Sequence, residues 1–154
     1  MSAVLQPLRG FEPMGESDLE SVIEIEQRIY EFPWTLVNFR DSIRAGYSCW
    51  VCRSGGAGLL GYAVLMLAAG EAHLLNLTID SPFQRRGHGS GLLRHMVKTV
   101  RDYGAHVLFL EVRPSNEAGA ELYARHGFRQ IGVRRDYYPA QGGRENALVL
   151  ALDF

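Results

Sequence analysis

The run Gln84-Arg85-Arg86-Gly87-His88-Gly89-Ser90-Gly91-Leu92-Leu93 constrains this chain more than any other segment. An apolar stretch (Leu74, Leu75, Leu77, Thr78, Ile79) precedes it and predicts a strand, and Leu92, Leu93, Met96, Val97 and Val100 follow at helical spacing. Strand, glycine turn and helix in that order aim consecutive backbone N–H groups and a helix dipole at an anion. Gly87 and Gly89 permit positive φ and let the main chain approach a ligand closely. Arg85 and Arg86 add positive charge where phosphates would sit. The segment therefore demands an α/β chain and suits a pyrophosphate-bearing ligand. A glycine-rich turn that merely starts a helix is the plainer alternative.

Three phosphate loops compete for this pattern. A P-loop needs Lys-Ser/Thr after its last glycine, and no lysine follows the glycines here. A dinucleotide loop needs Gly-x-Gly-x-x-Gly, whereas the glycines fall at 87, 89 and 91, so the third comes one position early. Gln/Arg-x-x-Gly-x-Gly/Ala fits without gaps as Gln84-x-x-Gly87-x-Gly89. That pattern resembles the coenzyme A pyrophosphate loop of the GNAT superfamily of N-acetyltransferases. The resemblance implies acetyl-CoA as cosubstrate, with no metal.

At 154 residues the chain is expected to form one domain with a substantial core. Its 47% hydrophobic and 21% charged content is ordinary for a globular protein. A net charge of −1 argues against a nucleic-acid partner, which would call for a basic excess. No apolar run reaches the roughly 20 residues of a membrane span, and Met1 to Gly10 lacks the parts of a signal peptide, so the expectation is a cytoplasmic protein with no membrane partner. Cys49 and Cys52 form Cys-x-x-Cys, but on an expected strand positions three apart face opposite ways, so they read as packed thiols. The five histidines (73, 88, 95, 106, 126) show no metal-ligand spacing.

Leu8 to Met14 predicts a first strand, and Ser17-x-x-Glu20 has the form of a capping box opening a helix to about Tyr30. Thr35 starts a second helix that Gly46 ends. Ser48–Arg53 and Leu59–Ala68 predict a hairpin around Ser54-Gly55-Gly56, followed by a strand His73–Ile79. Beyond the glycine loop come a helix to Tyr103, an apolar strand Val107–Val112, and a helix from Asn116 stopped by Gly127. Phe128–Asp136 and Ala147–Asp153 predict the last strands. The order β-α-α-β-β-β-α-β-α-β-β is that of the GNAT fold: a single domain over residues 1–154, with a mixed, mostly antiparallel sheet of about six to seven strands and helices on both faces.

Several further segments resemble the RimI group within that superfamily. They are Glu31-Phe32-Pro33-Trp34, Leu110-Glu111-Val112-Arg113-x-Ser115-Asn116, Leu122-Tyr123-x-x-x-Gly127-Phe128, and Arg134-Arg135-x-Tyr137-Tyr138-Pro139 with Gly143-Arg144-Glu145. The departures are small: His88 and Ser90 fill variable positions, and Gly91 replaces a better helix former. The resemblance implies transfer of acetyl to the N-terminal alanine of a small-subunit ribosomal protein.

It also assigns residues. Glu111 stands alone in an apolar strand, where an unpaired carboxylate is costly. It is either an ion-pair member, with Arg113 or Arg135, or the general base that the resemblance makes it. Burial would push its pKa up towards the range useful for a base. Tyr123 would be the acid that protonates the departing thiolate, although a tyrosine on a helix face is otherwise ordinary core. Asn116 would cap its helix and contact the coenzyme. The resemblance gives Leu77, Thr78 and Ile79 the pantetheine arm and Arg85, Arg86, Gly87, His88, Gly89 and Ser90 the pyrophosphate; ordinary sheet pairing is the other reading of the first three. Phe32, Trp34, Tyr137 and Tyr138 either flank the acceptor opening or form a packed lid. Three rival functions remain: acetylation of a lysine or small amine, a regulatory acetyl-CoA module without turnover, and a dinucleotide-binding domain.

Overall fold

A computed structural model describes residues 9–55 and 58–154. The elements are β1 (Arg9–Pro13), α1 (Leu19–Ile29), α2 (Leu36–Arg44), β2 (Ser48–Ser54), β3 (Leu59–Ala68), β4 (Glu71–Ile79), α3 (His88–Tyr103), β5 (Val107–Val112), α4 (Glu117–Arg125), β6 (Arg129–Ala140) and β7 (Gly143–Asp153). Their order is the expected one. Seven strands pair as β1-β2-β3-β4-β5-β7-β6. The β4–β5 pair is parallel, whereas β1–β2, β5–β7 and β6–β7 are antiparallel.

Two compact units divide the chain: residues up to Val64 with Asn76–His95, and Leu65–Leu75 with Met96–Phe154. In the first, the apolar stripe of α1 (Leu19, Val22, Ile25) is buried, as are Phe39, Val51, Leu60 and Tyr62. Each buried aliphatic side chain stabilises by about 1.5–3 kcal/mol relative to exposure. In the second, Leu65, Met96, Val100, Leu108, Leu110 and Ala147 are buried.

Several boundaries differ from expectation. Ahead of α1 the bonds join Gly15 and Asp18, not Ser17 and Glu20, and form no capping box: Asp18 N–H donates to the Gly15 backbone O at 3.0 Å and Gly15 N–H to Asp18 Oδ2 at 2.8 Å. A 3-10 turn, Glu16–Asp18, therefore sits where helix was expected to begin. β6 and β7 run on through Tyr138, Pro139 and Glu145. β6 lies at the sheet edge, where a proline removes no shared hydrogen bond. The expected starting residue Leu8, and Gly56 of the predicted turn, lie outside the described residues.

The parallel register places Glu71 to Leu74 opposite Val107 to Leu110 and ends there, although β4 continues to Ile79 and β5 to Val112. Leu77, Thr78 and Ile79 thus lie beyond the last β4–β5 pair.

Candidate active site

Burial alternates along β5, and the Glu111 side chain is only 8% exposed. His73 on β4 pairs with Phe109, two residues from Glu111, so both side chains project from one face. His73 Nε2 meets Glu111 Oε2 in a short hydrogen bond. Arg134 on β6 donates through Nε to Glu111 Oε1 at 3.1 Å. The partners are therefore His73 and Arg134, neither Arg113 nor Arg135. Arg113 pairs instead with Glu145 at 3.1 Å and lies over the Tyr138 ring, with Cζ 4.3 Å from its centre.

This arrangement reverses the expected shift of the Glu111 carboxyl. Burial, its largest single influence, pushes the pKa up, but the His73 hydrogen bond and charge, joined by Arg134, bring it below the ordinary value. Glu111 is a carboxylate at neutral pH.

A bulge shapes the neighbouring edge. The β6–β7 register passes from Arg134 opposite Ala147 to Tyr138 opposite Glu145, and Asp136 adopts φ 52°. Asp136 N–H donates to Asn146 Oδ1 at 3.0 Å, and Arg144 donates to the carbonyls of Asp136 and Tyr137 at 2.7 and 3.0 Å. Such bulges re-aim side chains beside sites. Here the bulge separates Arg134, on Glu111, from Tyr138, whose hydroxyl pKa is raised by burial and by Glu111. Tyr137 is 44% exposed and meets Tyr138 edge-on, ring centres 4.9 Å apart.

Tyr123 is buried on α4, its ring edge-on to Phe128 at 5.6 Å. Asn116 caps that helix, its Oδ1 accepting from Gly119 N–H at 3.0 Å. The capping half of its expected role is present.

In the other unit, the glycine loop leads into α3. Arg85 has φ 63° and Gly87 φ 82°. Gly91 N–H donates to Gly87 O at 3.1 Å; among the described residues, the amides of Arg85 to Gly89 have no acceptor. His88 Nδ1 is likewise buried without a partner among the described residues. Burial, then Arg9 and Arg86, lower the His88 pKa. These donors, a helix N-terminus and Arg85 and Arg86 fit a pyrophosphate. Gln84 anchors the loop by donating to Ile79 O at 2.9 Å. Trp34 is half-buried with its ring 5.0 Å from Phe39, whereas Phe32 is 41% exposed. Trp34 thus joins the packing, and Phe32 is the more exposed of the two.

Sequence reasoning missed His73, Arg134, Arg9 and Glu26. Arg9 donates to Gly87 O at 2.9 Å, and a Cβ on Gly91 would lie 1.8 Å from Arg9 Nη1. A Cβ at position 91 would therefore have to displace the Arg9 guanidinium. Only strand register could have revealed His73. Cys49 and Cys52 are buried thiols, as expected, with pKa values pushed up to about 11 by burial.

The acetyltransferase (GNAT) family model matches residues 19–128. The chain belongs to the GNAT family of acetyltransferases. Within that family it is 36% identical over 136 residues to the ribosomal protein bS18 alanine N-acetyltransferase of Escherichia coli (strain K12), covering 88% of this chain and 91% of the relative. The corresponding Salmonella typhimurium enzyme is 35% identical, with 90% and 93% covered. A crystal structure of the ribosomal-protein-S18-alanine N-acetyltransferase from Escherichia coli superposes with a TM-score of 0.87 at 34% identity, covering 95% of this chain and 94% of the other. The GNAT fold read from the order of elements is therefore the fold observed. No helix among the described residues is long and apolar enough to cross a membrane.

Proposed function

We propose that this GNAT acetyltransferase carries the acetyl group of acetyl-CoA to the N-terminal alanine of a small-subunit ribosomal protein. The observation that carries the reading is 34–36% identity, over about nine-tenths of the chain, to relatives named for that activity. The amides of Arg85 to Gly89, which have no acceptor among the described residues, would take the pyrophosphate, and β4 beyond Leu74 would take the pantetheine arm.

Transfer is direct, within a ternary complex. The acceptor α-amine, with a pKa of about 7.7–8.0, needs only a modest base. Glu111, ionised at neutral pH, accepts the amine proton directly or through a water. The nitrogen lone pair attacks the thioester carbonyl carbon, the carbon–sulfur bond breaks, and the departing thiolate takes its proton from the Tyr123 hydroxyl. Acid–base assistance of this kind contributes about 10²–10⁴-fold, and holding both reactants in line contributes effective molarities of about 10⁵ M or more. Each thiol, buried and with a raised pKa, is a poor nucleophile, which supports a route without an acetyl-cysteine.

Steady-state kinetics on peptides beginning with alanine, beginning with serine, or bearing only an internal lysine behind a blocked N-terminus test the reading. The alanine peptide should have the highest kcat/KM. A higher kcat/KM for the blocked lysine peptide would reassign the acceptor.

A further inference from the structure

Glu26 is a buried acid that the acetyl-transfer scheme leaves unused. It lies on the inner face of α1 and is 2% exposed. A carboxylate in that position is costly unless its oxygens are satisfied. Three donors converge on it: Tyr62 O–H at 2.7 Å and Asn76 Nδ2 at 3.2 Å on Oε1, and Trp34 N–H at 2.9 Å on Oε2. The chain of donors extends further. Thr78 Oγ1 donates to Asn76 Oδ1 at 2.7 Å, so the Tyr30 hydroxyl, 2.7 Å from Thr78 Oγ1, is the donor to Thr78. The bonds from Tyr30 through Thr78 and Asn76 thus run towards the Glu26 carboxylate, and bonds aligned in this way polarise one another.

The residues so tied are not a random set. Trp34 ends the Phe32-Pro33-Trp34 turn between α1 and α2. Asn76 and Thr78 share one face of β4, in the stretch beyond its last pair with β5. An ordinary core position would be filled by an apolar side chain. This carboxylate is arranged to hold a backbone amide of one segment and a side-chain amide of the other.

We propose that Glu26 is a positioning residue for the acceptor: by bonding Trp34 N–H and Asn76 together, it fixes the α1–α2 turn against the coenzyme strand. This rests on the acetyl-transfer reading above, in which β4 holds the pantetheine arm, taken together with the first of the two readings of Phe32 and Trp34, that they flank the acceptor opening. Glutamine at position 26 keeps the shape but must present an N–H to one of the donors. Aspartate keeps the charge but is one methylene too short to reach both segments.

The test compares Glu26→Gln and Glu26→Asp with Tyr62→Phe, which removes one bond to the same carboxylate and leaves Trp34 and Asn76 attached. Both Glu26 variants should raise the KM for an alanine-starting peptide by about tenfold, while the acetyl-CoA Kd shifts less than about threefold. Tyr62→Phe should lower the melting temperature yet hold the acceptor KM within about threefold. Equal KM increases in Tyr62→Phe and Glu26→Gln, or an unchanged KM in folded Glu26→Gln, would overturn the proposal. Should neither Glu26 variant fold, hydrogen exchange in the wild-type protein decides. The Trp34 amide should exchange as slowly as the core amides of α1, and exchange as fast as an exposed turn would refute the anchoring. A wild-type protein inactive on every alanine peptide would refute the functional reading, whereas activity with an indifferent Glu26 refutes this inference alone.

Discussion

His73, on β4, closes on the carboxylate of Glu111, on β5, and makes the acid at the centre of the candidate site a permanent anion near neutrality. With the Glu111 pKa held below its ordinary value, the enzyme carboxyl is already ionised across the working range. The acid limb of kcat/KM on an alanine peptide should therefore follow the acceptor amine, with a midpoint of about 7.7–8.0. His73→Gln should not move that midpoint to lower pH. An acid limb centred near pH 5 in the wild-type protein would mean that Glu111 is not depressed as the structure has it.

The same pair contributes to stability, with a definite sign. The folded-state pKa of Glu111 lies below its reference of 4.5. The contribution is therefore complete above about pH 4.5 and is lost as the pH falls through the lower folded value. Glu111→Gln should cost stability at pH 7, and the difference from wild type should shrink below about pH 4.5 in denaturant titrations. A gap that widens on acidification would contradict the ion-pair account.

Tyr123→Phe separates a ring from its hydroxyl. The ring is buried against Phe128, so phenylalanine should preserve the fold and shift the melting temperature little. With its proton gone, kcat should fall by about 10²-fold while acetyl-CoA affinity holds. Tyr137→Phe and Tyr138→Phe should act mainly on the acceptor KM. A fully active Tyr123→Phe beside a dead Tyr138→Phe would transfer the acid role to Tyr138.

Gly91→Ala sets helix propensity against the loop. Alanine is better than glycine in a helix interior by about 1 kcal/mol, but its Cβ would displace the Arg9 guanidinium from Gly87 O. The variant should melt at or above the wild-type temperature while its acetyl-CoA Kd rises by about threefold or more. Calorimetry showing unchanged affinity would leave Arg9 with no part in ordering the loop.

Much of the fold was legible because its signals are local. The glycine loop, the Thr35 and Asn116 caps and the apolar runs of β3 and β5 each declare an element through neighbouring residues. Glu111 stood out for the same reason, as one charge among apolar residues. What surrounds it was not legible. His73 and Arg134 lie far from it in sequence, and only the parallel register and the β6 bulge bring them there. With those partners unseen, burial alone suggested the wrong direction for the carboxyl pKa. The ends of β6 and β7 were misjudged because Pro139 and Gly142-Gly143 look like breakers until β6 is known to be an edge.

Glu111→Gln tests the assigned base: kcat at pH 7 should drop by about 10²-fold, recover in part at high pH as free amine accumulates, and leave acetyl-CoA binding intact. A kcat within about threefold of wild type would make Glu111 structural.

The acceptor assignment has its most direct test in a single peptide carrying both candidate nucleophiles, an N-terminal alanine and internal lysines, incubated with the protein and acetyl-CoA and sequenced by tandem mass spectrometry. The account predicts one acetyl group, on the alanine α-amine, with the lysines unmodified. Acetyl on a lysine with a free α-amine, or no transfer from a protein that binds acetyl-CoA, would contradict it.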